Sequence, residues 1–96
     1  MIAQVHPGTV AAGPLSDEMH KFAETAFSEA RKRDGVEGCL QVFDPATGES
    51  LTIVLFRDQA ALDAFQAFSK EKIVEAGELG YDVAADRVYS EVIAAL

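Results

Sequence analysis

The stretch that decides the fold runs from residue 44 to residue 65, "DPATGESLTIVLFRDQAALDAF". It places a turn, a strand and the start of a helix within a short span. Asp44-Pro45 initiates a turn and Gly48 can take the positive φ that closes it. The strand that follows, Leu51 to Phe56, is apolar on both faces: Leu51, Ile53 and Leu55 point one way, Val54 and Phe56 the other. A strand with one face in water should instead alternate between apolar and polar. Asp58 then caps a helix carrying Ala61, Leu62, Phe65, Phe68, Ile73 and Ala76 on one stripe, with Ser69 interrupting it and Gly77 and Gly80 at its end.

Working outward, Val36 to Asp44 reads as a strand paired with Leu51 to Phe56 through that turn. Val36, Leu40 and Val42 lie on one of its faces and Cys39, Gln41 and Phe43 on the other. Upstream, Met19, Phe22, Ala23, Ala26, Phe27 and Ala30 recur at helical spacing behind the N-cap Ser16. Asp17 and Glu18 suit the start of this helix, Arg31, Lys32 and Arg33 its last turn, and Asp34-Gly35 stops it. Ile2 to Val10 is a first strand with a bulge or bend expected near Pro7-Gly8, because proline cannot donate a ladder hydrogen bond. Residues 84–96 alternate as a final strand from about Arg87, with a helix as the competing reading because Ala and Leu favour it.

The predicted order is therefore strand, helix, strand, strand, helix, strand over one domain, residues 1–96. This is the α+β, ferredoxin-like βαββαβ arrangement, a four-stranded antiparallel sheet with both helices on one face. Two helices cover only one face of such a sheet. Val54, Phe56, Phe43, Tyr89 and Ile93 are expected to need a second cover, supplied by the sheet of another copy in a homodimer with a barrel-like interior. The strand register leaves open whether Cys39, Gln41 and Phe43 face the helices or the partner, since a one-residue slip exchanges the two sets.

Composition bounds the function. The 96 residues are 49% hydrophobic and 25% charged, as expected of one globular domain. A domain this small is often marginal alone, which makes association a natural source of stability. The net charge is −8, from 16 acidic and 8 basic residues without a basic patch, which argues against nucleic acid and anionic membrane surfaces as partners. The opening "MIAQVHPGTVAAGPL" does not resemble a signal peptide, and no apolar run is long enough to span a bilayer. The lone Cys39 excludes an intrachain disulfide and fits a reducing, cytoplasmic setting; with no basic neighbour in sequence it reads as a small buried hydrophobe. No phosphate-binding glycine loop, nucleophile elbow or metal-spaced histidine pair is present, so no metal and no cofactor are expected.

The run "GVEGCLQVFDPATGESLTIVLFRDQAALDAF" resembles the antibiotic-biosynthesis-monooxygenase-like group of dimeric α+β barrels. The likeness lies in the Gly35-x-x-Gly38 strand, the turn, the strand ending in Phe56, and the helix opening Ala61-Leu62-x-Ala64; "MIAQVHPGTV" is similar to the group's first strand. The resemblance implies a homodimer, a pocket between sheet and helices, and in some members cofactor-independent oxygenation of polycyclic aromatics. Its haem-degrading branch is disfavoured, because Phe65 and the neighbourhood of Glu75 stand where that branch has Trp and His, and the first strand has Gln4 and His6 but no Asn.

Oxygenation without a cofactor needs a base, stabilisation of an organic anion and a dry cavity. His6 is the candidate base and Arg57 the candidate anion partner, each weighed against an ordinary surface role. Phe22, Phe27, Phe65, Phe68 and Tyr89 are the candidate substrate-binding residues, equally readable as core or dimer seam. Tyr81 is a further candidate hydrogen-bond donor, whereas His20 reads as a helix-boundary residue. A small apolar or aromatic ligand is the expected partner beside the second copy. The alternative is a non-catalytic ligand-binding or structural dimer of the same fold.

Overall fold

The computed structural model describes residues 1–95. The elements are β1 (Ile2–Thr9), α1 (Asp17–Arg31), β2 (Val36–Asp44), β3 (Glu49–Phe56), α2 (Gln59–Glu78), β4 (Asp82–Val83) and β5 (Arg87–Tyr89). The sheet order is β2-β3-β1-β4, with β5 also paired to β1, and all pairings are antiparallel. This is the α+β ferredoxin-like arrangement. Among the described residues, no helix is long and apolar enough to cross a membrane.

Both helix starts follow from the residues named for them. Ser16 accepts a hydrogen bond from the Met19 N–H at 3.1 Å, and Asp58 accepts one from the Ala61 N–H at 2.9 Å. Each cap satisfies one of the orphan donors at its helix start. Gly48 takes φ +81° in the β2–β3 turn while its carbonyl accepts from the Val10 N–H at 2.9 Å; a side chain there would run into the Val10 carbonyl.

The final strand departs from expectation by being split. β4 pairs Gly8 with Val83, and β5 pairs Val5 with Arg87, so residues 84–86 stand opposite only His6 and Pro7. The Ala84 N–H donates to the Pro7 carbonyl at 2.8 Å, but Pro7 has no N–H to return. The irregularity expected in β1 thus appears in its partner, while β1 runs unbroken through Pro7. Residues 90–95 form neither the continued strand nor the helix considered for them.

The face assignment is corrected. Val54 and Phe56, expected against a partner sheet, lie under the helices at 5% and 0% exposure, in one cluster with Ile2, Ala30, Ala61, Leu62, Phe65 and Phe68. The Phe65 ring meets Phe56 edge-on at 5.1 Å and Phe68 at 5.2 Å. Pairing in β1–β3 places Ile2, Gln4, His6 and Gly8 on that same inner face, opposite Phe56, Val54, Thr52 and Ser50. In β2 the register shifts between Val36 and Gly38. This bulge brings Val36 onto the inner face with Cys39, although period-two counting separates them; both pack against the helix-side core.

The outer face therefore carries Leu51, Ile53 and Leu55, flanked by the exposed Leu40, Val42 and Tyr89. Both faces of β3 are apolar for different reasons: the inner one is core, and the outer one is an uncovered apolar surface.

Candidate active site

α1 buries few of its residues fully. Met19 and Ala30 are buried, whereas Phe22, Ala23, Ala26 and Phe27 between them are only half-buried. The space under the middle of α1 is a cavity of about 840 Å³, within the range of small-molecule sites. Phe22 and Phe27 from α1, Phe65 and Phe68 from α2, and Phe43 and Val54 from the sheet form its apolar walls.

Its floor toward the β2–β3 turn is polar. His6, Gln41, Ser50, Thr52 and Tyr81 line this end. The register explains the grouping, because His6 and Gln41 both flank Thr52, and Gly8 flanks Ser50. Gln41 Nε2 donates to Ser50 Oγ and to Tyr81 Oη, each at 3.3 Å, and the Tyr81 hydroxyl donates to Ser50 Oγ.

His6 differs from these neighbours. It is 9% exposed, and neither Nδ1 nor Nε2 has a hydrogen-bond partner. Buried polar atoms are ordinarily satisfied, so an orphaned imidazole among the residues lining a cavity points to a missing partner. Burial pushes its pKa below the usual histidine value, and the Asp86 carboxylate opposes that only in part. A neutral imidazole results, with one nitrogen free to accept a proton.

Asp86 is held by Gln4, whose Nε2 donates to Asp86 Oδ2 at 2.7 Å and to Gln66 Oε1 at 3.0 Å. Gln66 in turn donates to the Leu62 carbonyl at 2.8 Å. This network ties the split in the edge strand to α2 beside His6, and Gln4 is almost wholly buried within it.

Of the residues singled out in the sequence, His6, Phe22, Phe27, Phe65 and Phe68 come together around the cavity. Arg57 and Tyr89 are not among its lining residues. Arg57 is exposed and pairs with Asp34 at 3.3 Å and Asp58 at 3.4 Å, with its pKa raised chiefly by the Asp34 hydrogen bond. Tyr89 lies on the outer face beside Arg87, whose guanidinium is 5.4 Å from its ring. His20 borders the cavity from the exposed side of α1, and Cys39 lines it with a thiol pKa pushed up by burial. Gln41, Ser50 and Thr52 were missed as site residues. Their signal is Ser50 and Thr52 sharing an alternation class with the buried Val54 and Phe56, which puts hydroxyls on an inner face.

No family model matches the chain. Among solved structures, the chain superposes over its whole length on a Deinococcus radiodurans protein provisionally described as an antibiotic biosynthesis monooxygenase, with TM-score 0.76, 16% identity and 97% of that chain covered. Rv0793 from Mycobacterium tuberculosis matches over the full length of both chains, with TM-score 0.73 and 17% identity. The chain thus has an antibiotic-biosynthesis-monooxygenase-like fold. A curated relative by sequence is UvrABC system protein C of Caldicellulosiruptor saccharolyticus, 34% identical over 70 residues. The match takes in 73% of this chain and 12% of that much longer protein, so the chain spans only about an eighth of it.

Proposed function

We infer that the protein is a small homodimeric enzyme that oxygenates an aromatic or polyketide-like small molecule without a cofactor, with His6 as the base. The observation that carries this reading is the buried imidazole of His6, both nitrogens unpartnered, among the residues that line a phenylalanine-walled cavity. His6 takes a proton from an activated carbon of the substrate, and the electron pair left behind delocalises into the ring system. The carbanion transfers electrons to dioxygen and forms a C–O bond; loss of water from the hydroperoxide leaves a carbonyl. Two substrate hydrogens and one oxygen atom leave as water, and the other oxygen stays on carbon. The phenylalanine walls of the cavity limit the solvent that reaches the anion.

The homodimer is proposed from the other side of the sheet. Leu40 and Val42, each about half exposed, together with Leu51, Ile53 and Leu55, form an apolar face that a second copy would cover. The one free cysteine is consistent with a reducing, cytoplasmic setting.

The test is dioxygen uptake with anthrone as substrate, comparing the unmodified protein with His6→Gln, and light scattering on the same samples. Uptake that depends on His6 in a dimer supports the enzyme. Binding without uptake moves the reading to a non-catalytic ligand-binding dimer.

A further inference from the structure

We propose that Ser50, oriented by Gln41 and Tyr81, holds the hydroxyl oxygen of an aromatic ligand opposite His6, so that the cavity selects phenols over the parent hydrocarbons. The proposal rests on the reading of the cavity as an aromatic-ligand site and names the groups that recognise the ligand.

The Gln41 amide nitrogen can only donate, and it gives its two protons to Ser50 Oγ and Tyr81 Oη. The Tyr81 hydroxyl donates to Ser50 Oγ. Ser50 Oγ therefore accepts from both neighbours, and its own proton is left without an acceptor in the cluster. Ser50 is buried and lines the cavity. The group that completes it is an acceptor oxygen on a ligand.

His6 supplies the complementary half. It lies opposite Thr52, one inner-face position along from the Gly8–Ser50 pair. Diagonal neighbours of this kind are about 7 Å apart at the backbone, within reach of one ligand oxygen from both side chains. A phenol fits both ends once the imidazole turns a nitrogen to the cavity: its O–H then donates to that nitrogen while its oxygen accepts from Ser50. On ionisation the proton passes to His6 and the electron pair stays on the ligand oxygen, where the Ser50 hydroxyl stabilises it. The other titratable groups lining the cavity are His20, Glu24 and Arg31 from α1, Lys72 from α2, Cys39 from β2 and Tyr81, with Asp86 acting on His6 from the β4–β5 link. Lys72 is engaged by Glu29 and Glu75.

The experiment uses 2-naphthol and naphthalene as a matched pair, with affinities read by fluorescence and ionisation of bound naphthol read by absorbance across pH. The protein is expected to bind 2-naphthol about fivefold or more tightly than naphthalene. Ser50→Ala is expected to abolish that preference, leave naphthalene affinity unchanged and move ionisation of bound naphthol to higher pH. Tyr81→Phe is expected to lose part of the preference. Equal affinity for both probes, or a preference that survives Ser50→Ala combined with Tyr81→Phe, overturns the proposal and leaves the aromatic-ligand reading standing. If neither probe binds, both fall.

Discussion

Gly8 and Tyr81 meet so closely that no side chain fits between them: a Cβ on Gly8 would stand 2.6 Å from Tyr81 Cε1. The bare backbone of β1 is thus the seat of the Tyr81 ring, and the ring position brings its hydroxyl to Ser50 and Gln41. Gly8→Ala should force the ring away at a cost of about 1 to 3 kcal/mol, the usual range for overpacking. Chemical denaturation measures that cost. The naphthol preference should fall in the same variant, because the donor cluster loses its orientation; full preference with full stability would contradict this role for Gly8.

The two faces of β3 should respond differently to truncation. Phe56 is fully buried and packs edge-on against Phe65, so Phe56→Ala is expected to cost about 3 to 5 kcal/mol. Ile53, its outer-face counterpart, is only half-buried. Ile53→Ala should cost clearly less when the protein is diluted below any association. Similar losses at the two sites would mean that the face assignment is wrong.

That assignment also marks how far the sequence could be read. Helix caps at Ser16 and Asp58, the Gly48 turn and the element order follow from local chemistry, which a single chain displays directly. The choice between the faces of β3 depends on which parity meets the helices, and both parities are apolar, so periodicity had nothing to separate. The inner hydroxyls of Ser50 and Thr52 were the missing discriminator: they are tolerated inside because a cavity lies over them, and a cavity leaves no trace in hydrophobic spacing. Val36 escaped for another reason, since the bulge between Val36 and Gly38 shifts the alternation. Arg57 is a cation at a strand end, yet its partners Asp34 and Asp58 both hold it at the exposed side.

Stability should depend on pH through His6. Burial lowers its folded pKa below the ordinary value of 6.5, so the unfolded chain binds the proton more readily. The contribution of neutral His6 is complete above about pH 6.5 and is lost as pH falls from there through the lowered folded value. The melting temperature should drop over that window, and His6→Gln should flatten this part of the profile. An unchanged profile in the variant would show that His6 does not titrate differently on folding.

Arg57→Ala provides the control for the site. Its side chain is about half exposed, 53%, and its ion pairs are exposed, where such pairs contribute little. The variant should match the unmodified protein in melting temperature and in affinity for 2-naphthol. A selective loss of naphthol binding would return Arg57 to the ligand site and require a conformation different from the one described here.

The outer face leads to the last expectation. Leu40 and Val42 are adjacent in the inner-outer alternation of β2 and project beside Ile53 and Leu51. Replacing both by lysine puts two charges into the middle of an apolar surface that a second copy would otherwise desolvate. Light scattering should then report a monomer for the double variant and a dimer for the unmodified protein, because burying an unpaired charge is costly. The same lysines are solvated in the monomer, so the fold itself should persist, as judged by circular dichroism. A double variant that remains dimeric would place the association elsewhere, with the β4–β5 edge of the sheet as the next surface to probe.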